Sequence, residues 1–282
     1  MYYGFLGIAA FLFAAQFLFQ QRYQRICGAA WTSTLTFTLL INLIGCALQL
    51  TLGGFRLEFT WYAMALAAAQ ATAGILGNAA SIRALSTVNL AVYSMFSMLG
   101  GMVLPFAYGV LIGGESLTLS KVGCGLLIVV ALWLTVKGER GVWRNTRYYW
   151  AVFVLNGMSG VIASIHQSNE LLRVNSTSFM ALTNLTAVAV SAALLMAKTH
   201  ALPRLPLKPL GFACGYAAFT GIGNLLLLLA LMHLPASVQY PIVTGGVIFF
   251  STVVSALRRE KITRITWISA LLALASTVLI AL

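Results

Sequence analysis

Amide and hydroxyl side chains recur at near-helical spacing inside strongly apolar sequence. Gln70, Gly74, Asn78 and Ser81 fall on one face of a helix, and Tyr216, Thr220 and Asn224 make a second such row. Asn156, Ser159, His166 and Glu170 share another face at offsets of 0, 3, 10 and 14, and the first apolar run carries Gln16 and Gln20. A polar group inside a bilayer is costly unless it finds a partner or faces a wet cavity. The chemistry open to such rows is hydrogen bonding to a small polar solute; the competing reading is helix packing, with Gly for close approach and Asn as interhelical glue. For Asn78 and Asn224 both readings stay open. His166 titrates near neutral pH when unperturbed and could carry protons, but a His near the membrane interface that bonds Glu170 or loop groups is the preferred reading. Enzyme chemistry finds no support: no carboxylate pair, His/Cys metal spacing, phosphate loop or activated nucleophile emerges, and no cofactor or metal is expected.

The elements that position these residues follow from composition. With 60% hydrophobic and 8% charged residues in 282, the chain is far from the roughly one-quarter charged content of a soluble domain. A helix crosses the hydrocarbon core with about 20 mostly apolar residues, and there is no apolar/polar alternation of the kind a barrel needs. Ten spans are expected, at 2–19, 30–52, 60–82, 87–112, 120–136, 148–169, 176–197, 208–231, 236–257 and 264–282. The first has no basic region before it and reads as a retained helix, not a signal peptide. Cys27, Cys46, Cys124 and Cys214 are scattered and read as packing residues. Trp31, Trp61, Trp143, Trp150 and Trp267 lie close to span ends, as an interfacial belt requires.

The formal charge of +12 is distributed like a topology signal and does not point to nucleic acid. Arg22, Arg25, Arg83, Lys137, Arg140, Arg144, Arg147, Lys198, Arg204, Lys208, Arg258, Arg259, Lys261 and Arg264 follow odd-numbered spans. Only Arg56, Lys121 and Arg173 fall on the other side. The positive-inside tendency makes the basic side cytoplasmic and both termini extracytoplasmic, in a multi-pass protein of the cell (inner) membrane.

The chain also repeats itself. Gly77-Asn78, Ala84-Leu85, Gly100-Gly101 and Glu115 return as Gly223-Asn224, Ala230-Leu231, Gly245-Gly246 and Glu260. The separation is 146 positions from Asn78 to Asn224 and 145 from Glu115 to Glu260, so one residue was lost before Pro235. Tyr2-Tyr3 and Tyr148-Tyr149 keep the 146 spacing, as do Gln20 and His166. Two repeats result, residues 1–140 and 141–282, each with five spans. An odd span number turns the second repeat over, and inverted repeats of this kind characterise secondary transporters that bind solute near the midplane. The expected fold is therefore an all-α membrane protein of ten helices, arranged as two inverted five-helix repeats around a central cavity. Its expected partners are a small solute and the bilayer.

The motifs at the repeat ends carry a resemblance. Ala84-Leu85, Ala91, Gly100-Gly101, Glu115-Ser116-Leu117-Thr118 and Gly123-Cys124-Gly125 resemble the close of an EamA-type repeat of the drug/metabolite transporter superfamily. The second copy is also similar, through Leu234-Pro235-Ala236-Ser237-Val238, Tyr240-Pro241-Ile242-Val243, Gly245-Gly246 and Glu260-Lys261-Ile262-Thr263. These motifs occupy the repeat ends; the ten-span count extends the likeness over most of the chain. The resemblance implies a ten-helix basket with the first, third, fourth, sixth, eighth and ninth helices around the cavity. Tyr93, Ser94, Ser97, Gln239, Tyr240 and Thr244 fall on those helices, and the expected solute-binding set is Gln16, Gln20, Gln70, Asn78, Tyr93, Asn156, Tyr216, Asn224, Gln239 and Tyr240. The resemblance also implies a transporter of small metabolites, commonly an exporter. Small multidrug exporters, the four-helix relatives, place a Glu in the first helix. Here that span has only Gln16 and Gln20, and Glu58, Glu115, Glu139, Glu170 and Glu260 all lie at or near span ends. The expectation is alternating-access movement of a neutral or zwitterionic polar metabolite. The alternatives are a proton-coupled drug or cation exporter using His166, and a non-transporting membrane scaffold.

Overall fold

The computed structural model describes residues 2–86, 90–112, 118–138, 146–169, 171–200, 207–231, 236–260 and 262–281, which hold helices and no strand. Ten helices follow in order among them: α1 (Tyr2–Cys27), α2 (Trp31–Leu52), α3 (Trp61–Leu85), α4 (Leu90–Leu111), α5 (Leu119–Gly138), α6 (Thr146–Ser168), α7 (Ser176–Thr199), α8 (Leu207–Leu231), α9 (Ala236–Leu257) and α10 (Arg264–Ala281). Among the described residues α1, α2, α3, α7, Leu90–Gly109 and Arg147–His166 are long and apolar enough to cross a membrane, and Ile242–Leu257 and Arg264–Ser276 are shorter apolar helices. The chain is an all-helical, multi-pass membrane protein.

Helix ends follow local chemistry more than hydropathy. The first apolar run stops at residue 19, yet α1 continues through Arg22 to Cys27. Polar residues end an apolar span without ending a helix, because the backbone bonds inside the segment are still made. Tyr23, buried in that extension, donates its hydroxyl to Ser33 O at 3.2 Å and ties the end of α1 to the start of α2. At α3 the N-cap Thr60 accepts from Ala63 N at 3.1 Å, and at α7 the N-cap Asn175 accepts from Ser178 N at 2.7 Å. After α2 the chain turns through Gly54 at φ +61, a left-handed conformation that favours glycine.

Helix packing is set by small residues. A Cβ on Gly100 would collide with the backbone of Phe153, and one on Gly101 would lie 2.7 Å from Asn156 Nδ2, so α4 seats directly on α6. Further along the same pair, Gly157 meets Leu104 and Gly160 meets Pro105, so the two helices run parallel. Helix α1 meets α9 in the same sense, with Ala10 against Gly246 and Gln21 against Arg258. Helices α4 and α9 run oppositely: Ser94 meets Ser251 and Ala91 meets Ser255. So do α1 and α8, through Phe13 with Gly223 and Phe19 with Gly215, and α2 and α7, through Gly45 with Asn184 and Gly53 with Thr177. Helix α3 runs against α6, from Tyr62 beside Ile165 to Arg83 beside Tyr148. Helices α5 and α10 pair with each other at the flank.

The largest apolar core lies among α1, α4, α6 and α9, built from Leu6, Phe13, Phe17, Phe96, Tyr149, Val247 and Ile248. Of the expected tryptophan belt, Trp61 is 82% exposed at the start of α3, while Trp150 packs edge-on against Phe96 and Phe153. Trp143 lies outside the described residues. Cys27, Cys46 and Cys214 are free thiols, and Cys46 points its sulfur at Ala181 O.

Candidate functional site

A cavity of about 320 Å³ lies among α1, α2, α3, α4, α6, α7 and α8. No charged side chain lines it among the described residues; amides, hydroxyls, glycines and a few apolar groups do. The two polar rows read from sequence meet there. Gln70, Gly74, Asn78 and Ser81 of α3 face Tyr216, Thr220 and Asn224 of α8, with Gln16 of α1, Tyr93 of α4, and Asn156 and Ser159 of α6 between them.

Hydrogen bonds set the orientation of several of these groups. Asn78 Nδ2 donates to Thr38 Oγ1 of α2 at 3.2 Å, and Asn156 Nδ2 donates to the Ser97 carbonyl of α4. Thr220 bonds the Gln16 amide across α8 and α1 and also the Tyr216 carbonyl of its own helix. The Tyr93 hydroxyl lies 2.9 Å from Ser81 Oγ and 3.2 Å from Gln20 Oε1, and its ring meets Phe17 edge-on. Gln20 is 1% exposed and does not line the cavity; it supports Tyr93 from below.

Other expected residues fall elsewhere. His166, 3% exposed, is outside the cavity lining, stacks on Phe179 at 4.0 Å and accepts from Val174 N through Nε2 at 3.3 Å. That bond needs an unprotonated Nε2 and joins the end of α6 to the connection before α7. Glu170 and the side chains of Gln239 and Tyr240 lie outside the described residues. Ser94 and Thr244 are buried off the cavity, Ser94 against Ser251.

Two helices outside the expected set enter the wall. Asn42, Gly45, Leu48 and Gln49 of α2 line it, as do Met180, Thr183, Asn184 and Ala187 of α7. The ring implied by resemblance thus gains α2 and α7, while α9 contributes no described lining residue. A Cβ on Gly45 would lie 2.9 Å from Asn184 Nδ2, so it is the bareness of Gly45 that brings these helices together at the wall.

Below the cavity a charged cluster joins three segments. Glu260 Oε2 accepts from Leu90 N at the start of α4 at 3.2 Å, and its Oε1 lies 3.3 Å from Arg258 and 4.0 Å from Arg25. Arg258 donates to Gln21 Oε1 of α1. Burial lowers the Arg258 guanidinium from its ordinary pKa; Glu260 opposes the shift, and Arg25 and Arg22 add to it.

No family model and no curated protein matches this chain. Its fold does recur among solved proteins: one crystal structure aligns over 97% of this chain and 94% of that one, with a TM-score of 0.60 at 18% sequence identity.

Proposed function

We propose that the protein is a secondary transporter of the drug/metabolite transporter kind, moving a small neutral or zwitterionic polar metabolite, in the export direction, by alternating access. The observation that carries this reading is the uncharged, amide-lined cavity, whose volume of about 320 Å³ suits a small solute and whose wall draws on helices from both halves.

The helix directions support two inverted repeats. Helix α1 runs with α9, α9 runs against α4, and α4 runs with α6, so α1 and α6 are opposed. Because α3 opposes α6 and α8 opposes α1, α3 and α8 are opposed too. Together with the opposed pairs α2/α7 and α4/α9, every counterpart among the first four positions of each repeat is inverted. One contact repeats residue for residue: Gly101 on Asn156 and Gly246 on Ala10 are related by shifts of 145 and 146 positions. Two such halves can exchange conformations at similar energy, which is the basis of alternating access.

Orientation follows from the basic loops, with both termini outside the cytoplasm. A reporter active only outside the cytoplasm, fused after Leu282, is expected to be active; an inactive reporter on a folded protein reverses the assignment.

The transport reading is tested in proteoliposomes loaded with candidate solutes. Once a transported solute is found, the Asn78→Ala, Asn224→Ala double variant is expected to cut its flux by about tenfold or more, because each lost hydrogen bond to a desolvated solute weakens binding several-fold. Unchanged flux in a correctly folded variant would remove these residues from the site.

A further inference from the structure

Two arginines converge on one tyrosine where α3 ends and α6 begins. Arg83 Nη1 donates to the Tyr148 hydroxyl at 3.5 Å and Arg147 Nη2 donates to it at 3.2 Å, with the guanidinium carbons 5.5 and 4.9 Å from the centre of its ring. Both arginines are exposed, and among the described residues neither pairs with a carboxylate. Glu260 is engaged with Leu90, Arg258 and Arg25, and Glu58 bonds Asn175 at the opposite end of the bundle. Each guanidinium spends one N–H on the hydroxyl and keeps its other donors. The ring face steadies each cation, but it does not offset the repulsion between two like charges brought to one oxygen. Topology does not call for the pairing either, since a positive-inside signal needs basic residues on one side and not side by side. At the 146 spacing of the sequence repeat, Tyr148 answers to Tyr2 and Arg83 to Leu229, so the tyrosine recurs and the cation does not.

Beside this pair the two helices present outward apolar stripes. Arg83, Leu76, Thr72 and Ala69 are exposed at spacings of 7, 4 and 3 along α3, and Arg147, Trp150, Val154 and Met158 are exposed at spacings of 3, 4 and 4 along α6. Such spacings make one face of each helix, and each face ends at its arginine. Thr72 donates to Ala68 O at 2.9 Å and adds no unmet polar group. The cavity residues Gly74 and Asn78 lie two positions either side of Leu76, on the opposite face of α3, so the stripes look away from the solute cavity. We propose that this is a binding site for one anionic phospholipid, its headgroup phosphate held by Arg83 and Arg147 and its acyl chain laid along the stripes of α3 and α6. A phosphate brings several acceptor oxygens and a negative charge to guanidinium groups whose planar forks match it. Arg83 lies in the last turn of α3 and Arg147 opens the apolar span Arg147–His166, so both stand where hydrocarbon gives way to headgroups. The exposed Trp150, one turn along from Arg147, marks the same depth. A bound lipid would tie a helix of the first half of the chain to one of the second.

The test uses the full chain in mild detergent, given phosphatidylglycerol and phosphatidylcholine with the same acyl chains, and reads bound lipid by native mass spectrometry. Phosphatidylcholine carries the same phosphate with a cation beside it, so the comparison isolates net charge. The unsubstituted protein is expected to hold one phosphatidylglycerol about tenfold or more tightly than phosphatidylcholine, the scale that two basic residues at a membrane surface supply. The Arg83→Gln, Arg147→Gln variant is expected to lose that preference. An Arg259→Gln, Arg264→Gln variant, which removes the same charge from exposed positions at the same end, is expected to keep it. Inorganic phosphate and glycerol 3-phosphate make the soluble arm; lacking acyl chains, they are expected to leave the lipid in place at millimolar concentration. Displacement by either would assign the cations to a free anion and overturn the lipid site. Equal retention of the two lipids by the unsubstituted protein, a preference that survives loss of Arg83 and Arg147, or one lost equally in the Arg259 and Arg264 variant overturns it as well. The lipid comparison in the unsubstituted protein needs no substitution, so a variant that fails to fold does not shield the proposal.

Discussion

Glu260 is held by groups from three segments: the Leu90 amide at the start of α4, Arg258 two residues before it, and Arg25 at the end of α1. A carboxylate at a helix N-terminus meets both the unsatisfied amides and the positive end of the helix dipole. Ser255 supplies the next cap, accepting from Ala91 N at 3.2 Å. Glu260→Gln keeps the shape and loses the charge, so α4 loses a charge-assisted bond and Arg258 loses the carboxylate that opposes its desolvation. The expected cost is about 1–3 kcal/mol, read as a lower melting temperature in detergent. No loss of stability would mean that the cap and pair contribute nothing measurable. In the sequence Glu260 is a carboxylate at a span end, where a cap on the following helix or a contact to a neighbouring Arg is the local expectation. The Arg contact is made, but the capped helix is α4, some 170 positions earlier in the chain. No local pattern encodes that, because the cap is completed only when α4 and α9 pack.

Among the elements, glycines divide by what stands opposite them. Gly100 faces the Phe153 backbone, which cannot yield as a flexible side-chain tip can, whereas nothing lies within 4 Å of a Cβ on Gly74. Gly100→Ala should therefore push α4 off α6 at an overpacking cost of about 1–3 kcal/mol, while Gly74→Ala should be neutral or gain up to about 1 kcal/mol from helix propensity. Thermal unfolding of the two variants side by side checks this; equal stabilities would contradict the contact geometry. Gly100, Gly101 and Gly246 are points of close helix approach, a use that adjacent glycines inside an apolar helix suggest in sequence. The polar rows of α3 and α8 were legible from their spacing. The wall of α2 and α7 was not read, although Asn42, Gly45 and Gln49 are offset by 3 and 7, and Thr183, Asn184 and Ala187 by 1 and 4. Those residues sit among threonines that back-bond within their own helices, such as Thr36, Thr51 and Thr186, and this dilutes the polar face in sequence. The end of α1 was misplaced for a different reason: hydropathy marks where the hydrocarbon ends, and a helix can run on into the interface.

For the whole molecule, the α4/α9 seam crosses the proposed pseudo-twofold axis and joins the two halves. Along it Ser94 bonds Ser251, Ala91 meets Ser255 and Leu90 meets Glu260, while Arg258 reaches Gln21 of α1. The seam and the charged cluster close the bundle at the end bearing the α1–α2 and α9–α10 connections. If the halves rock against each other to expose the cavity at that end, this seam is a contact between them that parts. Ser94 and Ser251 are both 0% exposed and their side-chain oxygens touch, so a Ser94→Cys, Ser251→Cys pair brings its sulfurs within reach of a disulfide. The bond is expected to arrest flux to below about a tenth of the reduced protein, since a covalent tie removes one of the two states between which transport cycles. Solute binding should survive, because Ser94 and Ser251 do not line the cavity and the state being locked is the one described. Reductant should restore flux, which separates arrest from misfolding. Full flux through quantitatively crosslinked protein would show that the halves do not part along this seam, and alternating access would then require a different moving element.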